Sequence, residues 1–465
     1  MPDRFVEMYR FGDFQLNVGE RTLERRQGRE RVVIPEKAFQ ALVLLVRSSG
    51  ALVRKDSIMA AVWPGVLVEE GNIGKVIHAI RRALGEGTGE WSYIETVPKH
   101  GYRFIADVTS TATSNAVSSS AVPVAGGLSG RSPAYDLYIR GKVKTGGENL
   151  EDTNEAIALF EAAVALDPAC AVAYAQLARA YTTRSFKFAS QDEGRRFREN
   201  ADVALAKALD LAPNLAEAHF ARGLILWTKA KGFPHEQAIK SFQRALEFDP
   251  AADETHHQLS MVYAHIGLLD QAHKHVARAI HLNPNNTMAR FRVGVYDAWQ
   301  CRFEEALAVL KTVPEELSPF LVDRTKAEVY VHLGQPDKSR SIIDHYLDTH
   351  PNDEGGSLTG VKALLLAKAG KAREARRAIA RAIELGTGFG HFHHTAYNIA
   401  ATYAVLREPA EAVNWLEAAA DDGFPCYPCF ARDPNLAVLR GFSRFDDLMS
   451  QLRKQCGRFR QMSAS

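Results

Sequence analysis

Lys75, His78 and Arg82 stand three and four residues apart in NIGKVIHAIRRALGE, residues 72–86, with Arg81 at their flank and no carboxylate before Glu86. On a helix of 3.6 residues per turn this spacing gathers cations and hydrogen-bond donors on one stripe. Ile73, Ile77, Ile80 and Leu84 take the opposite stripe and read as core. A helix packed on one side and basic on the other suits nucleic acid. Lys and Arg neutralise phosphates and reach guanine O6 and N7 in the major groove. For such a helix taken alone, a merely solvated basic face is the competing reading.

A second group has metal or redox character. Cys426 and Cys429 form a C-x-x-C in PCYPC, and HFHH places His391, His393 and His394 upstream. A four-ligand zinc site needs converging pairs, and a redox C-x-x-C needs a helix N-terminus to stabilise thiolate. There is no second cysteine pair, and Pro428 precedes Cys429. Buried thiols and a surface histidine cluster are therefore expected, with no metal and no cofactor; Cys426 and Cys429 are the residues a site would use. No phosphate-binding glycine loop, dinucleotide fingerprint or nucleophile elbow occurs. No catalytic residue is expected, and the chain does not read as an enzyme.

The elements around these residues fall into regions. Over residues 1–108, short alternating runs and apolar helices mix as in a small α+β domain. Phe14 and Leu16 alternate, RQGRE supplies a turn, and VVI is a β-branched run. PEKAFQALVLLVRSS opens on a helix-starting proline and puts Phe39, Leu42, Leu45 and Val46 on one face before Gly50. RKDSIMAAVWP is a second helix, and PGVLVEEG connects it to the basic helix. YIETVPKHGYRFIADV reads as two strands turning at Pro98 to Gly101. Residues 109–132 are Ser, Thr, Ala and Gly without an apolar face and read as a flexible linker.

Residues 133–455 repeat. Prolines close successive helices at Pro168, Pro213, Pro250, Pro284 and Pro351, and the step from Pro250 to Pro284 is the 34 residues of tetratricopeptide helix pairs. Leu259, Tyr263, Ala272 and Ala279 hold that pattern's positions, with Ser260 where a smaller residue is usual. About eight helix pairs are expected. Phe430, Leu436, Leu439 and Phe445 would cap them, and residues 456–465 would form a tail. Tyr174, Phe220, Trp227, Tyr263, Phe291, Trp299 and Tyr330 could line the concave groove, although helical spacing favours core for most.

Strands, three helices and a basic hairpin, in this order, resemble the OmpR-type winged-helix DNA-binding family. FGDFQL, PEKAFQALVLL, AAVWP, NIGKVIHAIRRALGE and YIETVPKHGYRF carry the resemblance over roughly residues 9–106. It implies that the third helix enters the major groove through Gly74, Lys75, His78 and Arg82, with Arg81 nearer the phosphates. It further implies that the wing presents Lys99, His100 and Arg103. The loop of Gly65, Val66, Leu67, Val68, Glu69 and Glu70 would face RNA polymerase. Gly74 inside the helix and His100 in the wing depart from common members.

Bulk charge adds little: residues 1–108 hold 16 Lys and Arg against 14 Asp and Glu, so any basic field is local. The N-terminus has no secretory pattern, no apolar run spans a membrane, and five cysteines fit a reducing cytoplasm. The fold class expected is therefore multidomain: an α+β winged helix followed by an all-α tetratricopeptide solenoid. The expected function is a cytoplasmic one-component transcriptional regulator that binds double-stranded DNA. Its repeats would receive a protein, peptide or ligand signal or self-associate, with no membrane partner. A scaffold with only non-specific DNA binding, and a C-x-x-C sensor on the same DNA domain, are the alternatives.

Overall fold

The computed structural model describes residues 8–18, 22–25, 30–32, 34–50, 52–62, 71–85, 93–97, 101–106, 108–110, 133–145, 149–188, 191–284, 286–314, 317–386 and 388–464. The chain divides into two compact units, Met1–Ala121 and Val122–Ser465.

The first unit runs β1 (Met8–Phe11), β2 (Phe14–Asn17), β3 (Thr22–Arg25), β4 (Glu30–Arg31), α1 (Glu36–Arg47), β5 (Leu52–Arg54), α2 (Lys55–Val62), α3 (Gly71–Ala83), β6 (Ile94–Val97), β7 (Gly101–Phe104) and β8 (Val108–Ser110). Its two antiparallel sheets have the orders β4-β3-β2-β1-β8 and β5-β7-β6. Phe11, Phe14, Leu16, Leu42, Leu45, Ile77, Ile80 and Phe104 share one core, where Phe11 meets Phe104 edge-on at 5.0 Å. Pro35 stands at the N-cap of α1 as expected, and Gly50, with φ +79°, follows its end.

Three details of this unit correct the reading of the sequence. Of the strand expected at VVI, Val33 lies outside the described residues; the assigned strand is Glu30–Arg31, and Val32 beside it donates to Leu23 O (2.8 Å) before Pro35 caps α1. Leu52–Arg54, too short to announce itself, is the strand that joins the hairpin to the helices. Thr109 and Ser110, expected in the linker, pair with Arg10 and Tyr9. The remaining linker residues, 111–132, lie outside the described residues.

The second unit is a series of antiparallel helix pairs: α4 (Pro133–Lys144) with α5 (Leu150–Leu166), α6 (Ala171–Lys187) with α7 (Gln191–Leu211), α8 (Ala216–Leu226) with α9 (His235–Phe248), and α10 (Asp253–His265) with α11 (Leu269–Leu282). Then come α12 (Thr287–Trp299) with α13 (Phe303–Leu310), α14 (Pro319–His332) with α15 (Pro336–Thr349), α16 (Ser357–Lys368) with α17 (Ala372–Gly386), and α18 (Phe392–Val405) with α19 (Pro409–Asp421). α20 (Tyr427–Arg432) and α21 (Ser443–Ala464) complete the described chain. Close approach inside a pair depends on small residues. A Cβ on Gly223 would stand 2.5 Å from the Phe242 ring. Ser260, at the equivalent place in its pair, is fully buried and donates to His257 O (2.6 Å).

Phe430, Leu436, Leu439 and Phe445 bury themselves with Leu416 and Ala419 of the eighth pair, the capping role expected of them. The expected tail is a correction: residues 456–464 continue α21. Cys456, Phe459 and Met462 pack into the cluster that holds Phe220, Trp227 and Leu259, several pairs earlier. Their apolar side chains recur at helical spacing and need a partner, which the third and fourth pairs supply. Phe186 meets His391 edge-on at 4.8 Å, and Lys229 pairs with Asp422 at 3.0 Å. The array is thus braced from late pairs back to early ones. Phe220, Trp227, Tyr263 and Phe291 are core; Tyr174, Trp299 and Tyr330 are half-buried. Among the described residues, no helix is long and apolar enough to cross a membrane.

Candidate nucleic-acid interface

α3 keeps the two stripes that its sequence marks out. Ile73, Ile77, Ile80 and Leu84 are each at most 4% exposed, while Gly74, Lys75, His78 and Arg82 are exposed. Burying four branched side chains fixes the rotation of the helix, because turning it would bring those groups into water at roughly 1.5–3 kcal/mol each. The outward side therefore presents an ammonium, an imidazole and a guanidinium along one line. Nothing lies within 4 Å of where a Cβ on Gly74 would stand, so that glycine leaves a shallow place in the basic surface.

Arg81 does something that spacing alone could not reveal. Its Nη2 donates to Ile94 O (2.8 Å) and Thr96 Oγ1 (2.8 Å), both on β6. The guanidinium ties the basic helix to the hairpin and so sets the angle between them. Removing it, as Arg81→Ala, is expected to lower the stability of the first unit by about 1–2 kcal/mol, the worth of a charged donor at a partly exposed site. DNA affinity should weaken for all sequences with an unchanged salt slope. A slope lower by about one unit would instead give Arg81 a phosphate. Salt-dependent binding of the variant separates the two roles.

On the hairpin, Arg103 of β7 stands opposite Glu95 of β6, and its Nη1 meets Glu95 Oε2 at 2.7 Å with both side chains partly exposed. This cross-strand pair holds the guanidinium at the surface while offsetting part of its charge. Gly101 opens β7 where it crosses β5, and a Cβ there would lie 2.0 Å from Val53 O. Lys37 of α1 donates to Val62 O (2.5 Å) and caps the last turn of α2 with a cation. Lys99 and His100 of the wing, and Gly65, Val66, Leu67, Val68, Glu69 and Glu70 of the expected polymerase-facing loop, lie outside the described residues.

Cys426 and Cys429 are buried and free, as expected of structural thiols. Cys426 does stand at the N-cap of a helix, but one of only six residues. Hydrogen bonding to Cys426 and burial push the Cys429 thiol well above the ordinary range, which opposes a reactive thiolate. The histidines overturn an expectation. His393 is fully buried, His391 and His394 are half-buried, and His265 from α10 joins them; one ring nitrogen from each lies within 4.8 Å of all the others. The surface cluster read from HFHH is an interior one, since Phe424, Trp227 and Trp299 close over it.

A helix with a solvent-facing basic stripe, braced by an arginine to a two-stranded wing, defines a winged-helix DNA-binding domain, and helix pairs with small residues at their crossings define a tetratricopeptide array. Comparison with known families agrees. Residues 28–104 match the family described as transcriptional regulatory protein, C terminal, and residues 147–170 match a tetratricopeptide repeat. The chain is similar to the transcriptional regulator HilA of Salmonella typhimurium, 37% identical over 94 residues, which are 20% of this chain and 16% of that protein. HilA of Salmonella typhi matches to the same extent. The chain thus spans about a sixth of the length of these curated relatives. Among solved structures, the DNA-binding domain of E. coli CadC is 22% identical, covering 23% of this chain and 98% of its own, with a TM-score of 0.21. A tetratricopeptide repeat protein from Parabacteroides merdae is 15% identical, covering 59% and 98%, with a TM-score of 0.39. Residues 28–104 are a transcription-regulator winged helix of the OmpR type, and tetratricopeptide repeats follow it.

Proposed function

We propose that the chain is a cytoplasmic one-component transcriptional regulator. Lys75, His78 and Arg82 read base edges in the major groove, while Lys99, His100 and Arg103 hold the flanking phosphates. The loop of residues 65–70 meets RNA polymerase. The observation that carries this reading is the outward basic stripe of α3, whose direction is set by the buried stripe behind it. The repeat unit receives a protein, peptide or ligand signal or pairs with a second copy, and no catalysis is needed for that role. The domain boundaries that go with this reading are a DNA-binding unit that runs through the strand ending at Ser110, then a linker, and the repeats from residue 133 onward.

Selection of bound sequences from random duplex DNA with the full chain, at two salt concentrations, tests it. An enriched motif supports sequence-specific regulation. Binding without enrichment that vanishes as salt rises would leave a scaffold with non-specific DNA affinity. On the enriched site, Arg82→Ala is expected to weaken binding by about 1–3 kcal/mol and relax one base position. Unchanged preference in that variant would remove Arg82 from the reading surface.

A further inference from the structure

Four imidazoles distant in sequence meet inside the repeat unit. His265 ends α10, His391 is the N-cap of α18, and His393 and His394 lie in its first turn. Two of the rings are already oriented as metal ligands are. A carbonyl oxygen only accepts, so His265 Nδ1–H donates to Met261 O (2.7 Å) and His393 Nδ1–H to Asp422 O (2.7 Å). Each neutral ring then carries its lone pair on Nε2. Such outer-shell bonds to carbonyls fix the tautomer and direction of metal-bound histidine. His265 Nε2 is fully buried and has no hydrogen-bond partner among the described residues, an uncommon state for a buried acceptor.

The spacing suits a small ion. At zinc–nitrogen bonds of about 2.0–2.1 Å, the edge of a tetrahedron is about 3.3 Å. His391 Nδ1 and His393 Nε2 are 3.3 Å apart, a hydrogen bond that a metal would replace once the His391 proton moves to Nε2, and no separation in the group exceeds 4.8 Å. Arg324 faces His393 and His394 and opposes a cation, but Glu328 Oε1 stands 3.9 Å from its Nε. The Asp422 carboxylate, 3.8 Å from His393 Nδ1, favours one. His394 also lines a cavity of about 40 Å3, large enough for a few waters. Neither Cys426 nor Cys429 belongs to the group.

We propose that His265, His391, His393 and His394 bind one Zn2+ ion and so join the fourth helix pair to the eighth. An all-imidazole set of borderline softness suits zinc. Occupancy would make the geometry of the array depend on the metal, independently of whether the winged helix reads DNA.

The test uses the tag-free full chain, dialysed against Zn2+ and analysed by metal mass spectrometry, with Co2+ as a visible stand-in. One zinc per chain, a four-coordinate cobalt spectrum without a thiolate charge-transfer band, and a higher Tm are expected. His394→Gln should weaken binding by more than the roughly 10–100-fold of an outer-shell loss. The Cys426→Ser, Cys429→Ser double variant should bind as the unaltered chain does. If circular dichroism finds His394→Gln unfolded, His391→Asn replaces it. An unaltered chain that takes up no zinc overturns the proposal whatever the variants do. So does zinc that survives the histidine changes or that gives cobalt–thiolate absorption. DNA selection, run separately, can succeed or fail without moving either result.

Discussion

Gly101→Ala is expected to destabilise the DNA-binding unit by about 3–5 kcal/mol, adding backbone strain to overpacking. The new methyl would stand 2.0 Å from Val53 O and 2.9 Å from Arg54 Cα, both backbone atoms that no side-chain rotation can move aside. The only relief is to part β7 from β5, and with it the pairings Leu52↔Arg103, Val53↔Tyr102 and Arg54↔Gly101. Parting them loosens the hairpin that Arg81 holds against α3. The loss approaches the lower end of a domain's whole stability. Urea unfolding of the variant should therefore shift strongly to lower denaturant, and DNA affinity should fall with the folded fraction. A variant as stable as the unaltered chain would mean that β7 can part from β5 at little cost.

Acidification should act on the other unit. Trp227 Nε1–H donates to His235 Nδ1 (3.1 Å), a bond that protonating this nitrogen destroys, and burial pushes His235 down to about 4. Burial and then Arg292 push His257 down to about 3. Each is lower in the folded chain than the 6.5 of a free imidazole, so the unfolded chain binds more protons below that value. Stability is therefore full above about pH 6.5 and is lost progressively as pH falls towards 4. From pH 7 to pH 5 each of these two histidines costs about 2 kcal/mol. Denaturant melts of the repeat unit's signal at the two pH values, with EDTA present, read these two together with the other imidazoles that burial depresses, among them His275, His265, His393 and His394, so a drop of at least their joint size is expected. His235→Gln should flatten its share, and an equally stable chain at pH 5 would show both histidines reaching water.

What could be read from residues alone follows from the range of the interactions. The isoleucine stripe of α3 and the proline-closed helix pairs are local patterns, with period 3.6 or 34, and they set both architecture and the outward direction of Lys75, His78 and Arg82. By spacing, Arg81 is one more cation at the flank of that stripe. Its partners Ile94 and Thr96 are on another element, and no periodicity points to them. β5 and β8 are three residues each and exist because of the strands they meet. His265 precedes HFHH by over a hundred residues, so the cluster is a product of how the pairs stack. The burial of His393 under Phe424 and Trp299's contact with His394 have the same origin.

The helix of residues 443–464 carries a consequence for how the molecule assembles. In an open stack each repeat leans only on its neighbours, and folding can begin anywhere and spread. Here Cys456 lies against Gly267, 189 residues earlier in the chain, and Phe459 and Met462 finish the packing around the third and fourth pairs. Those pairs must wait, with apolar surface uncovered, until a segment far downstream arrives. Such distant contacts slow folding and lengthen the exposure of sticky intermediates. They also bind the repeats into one cooperative event, so the array should open as a whole instead of fraying from its ends.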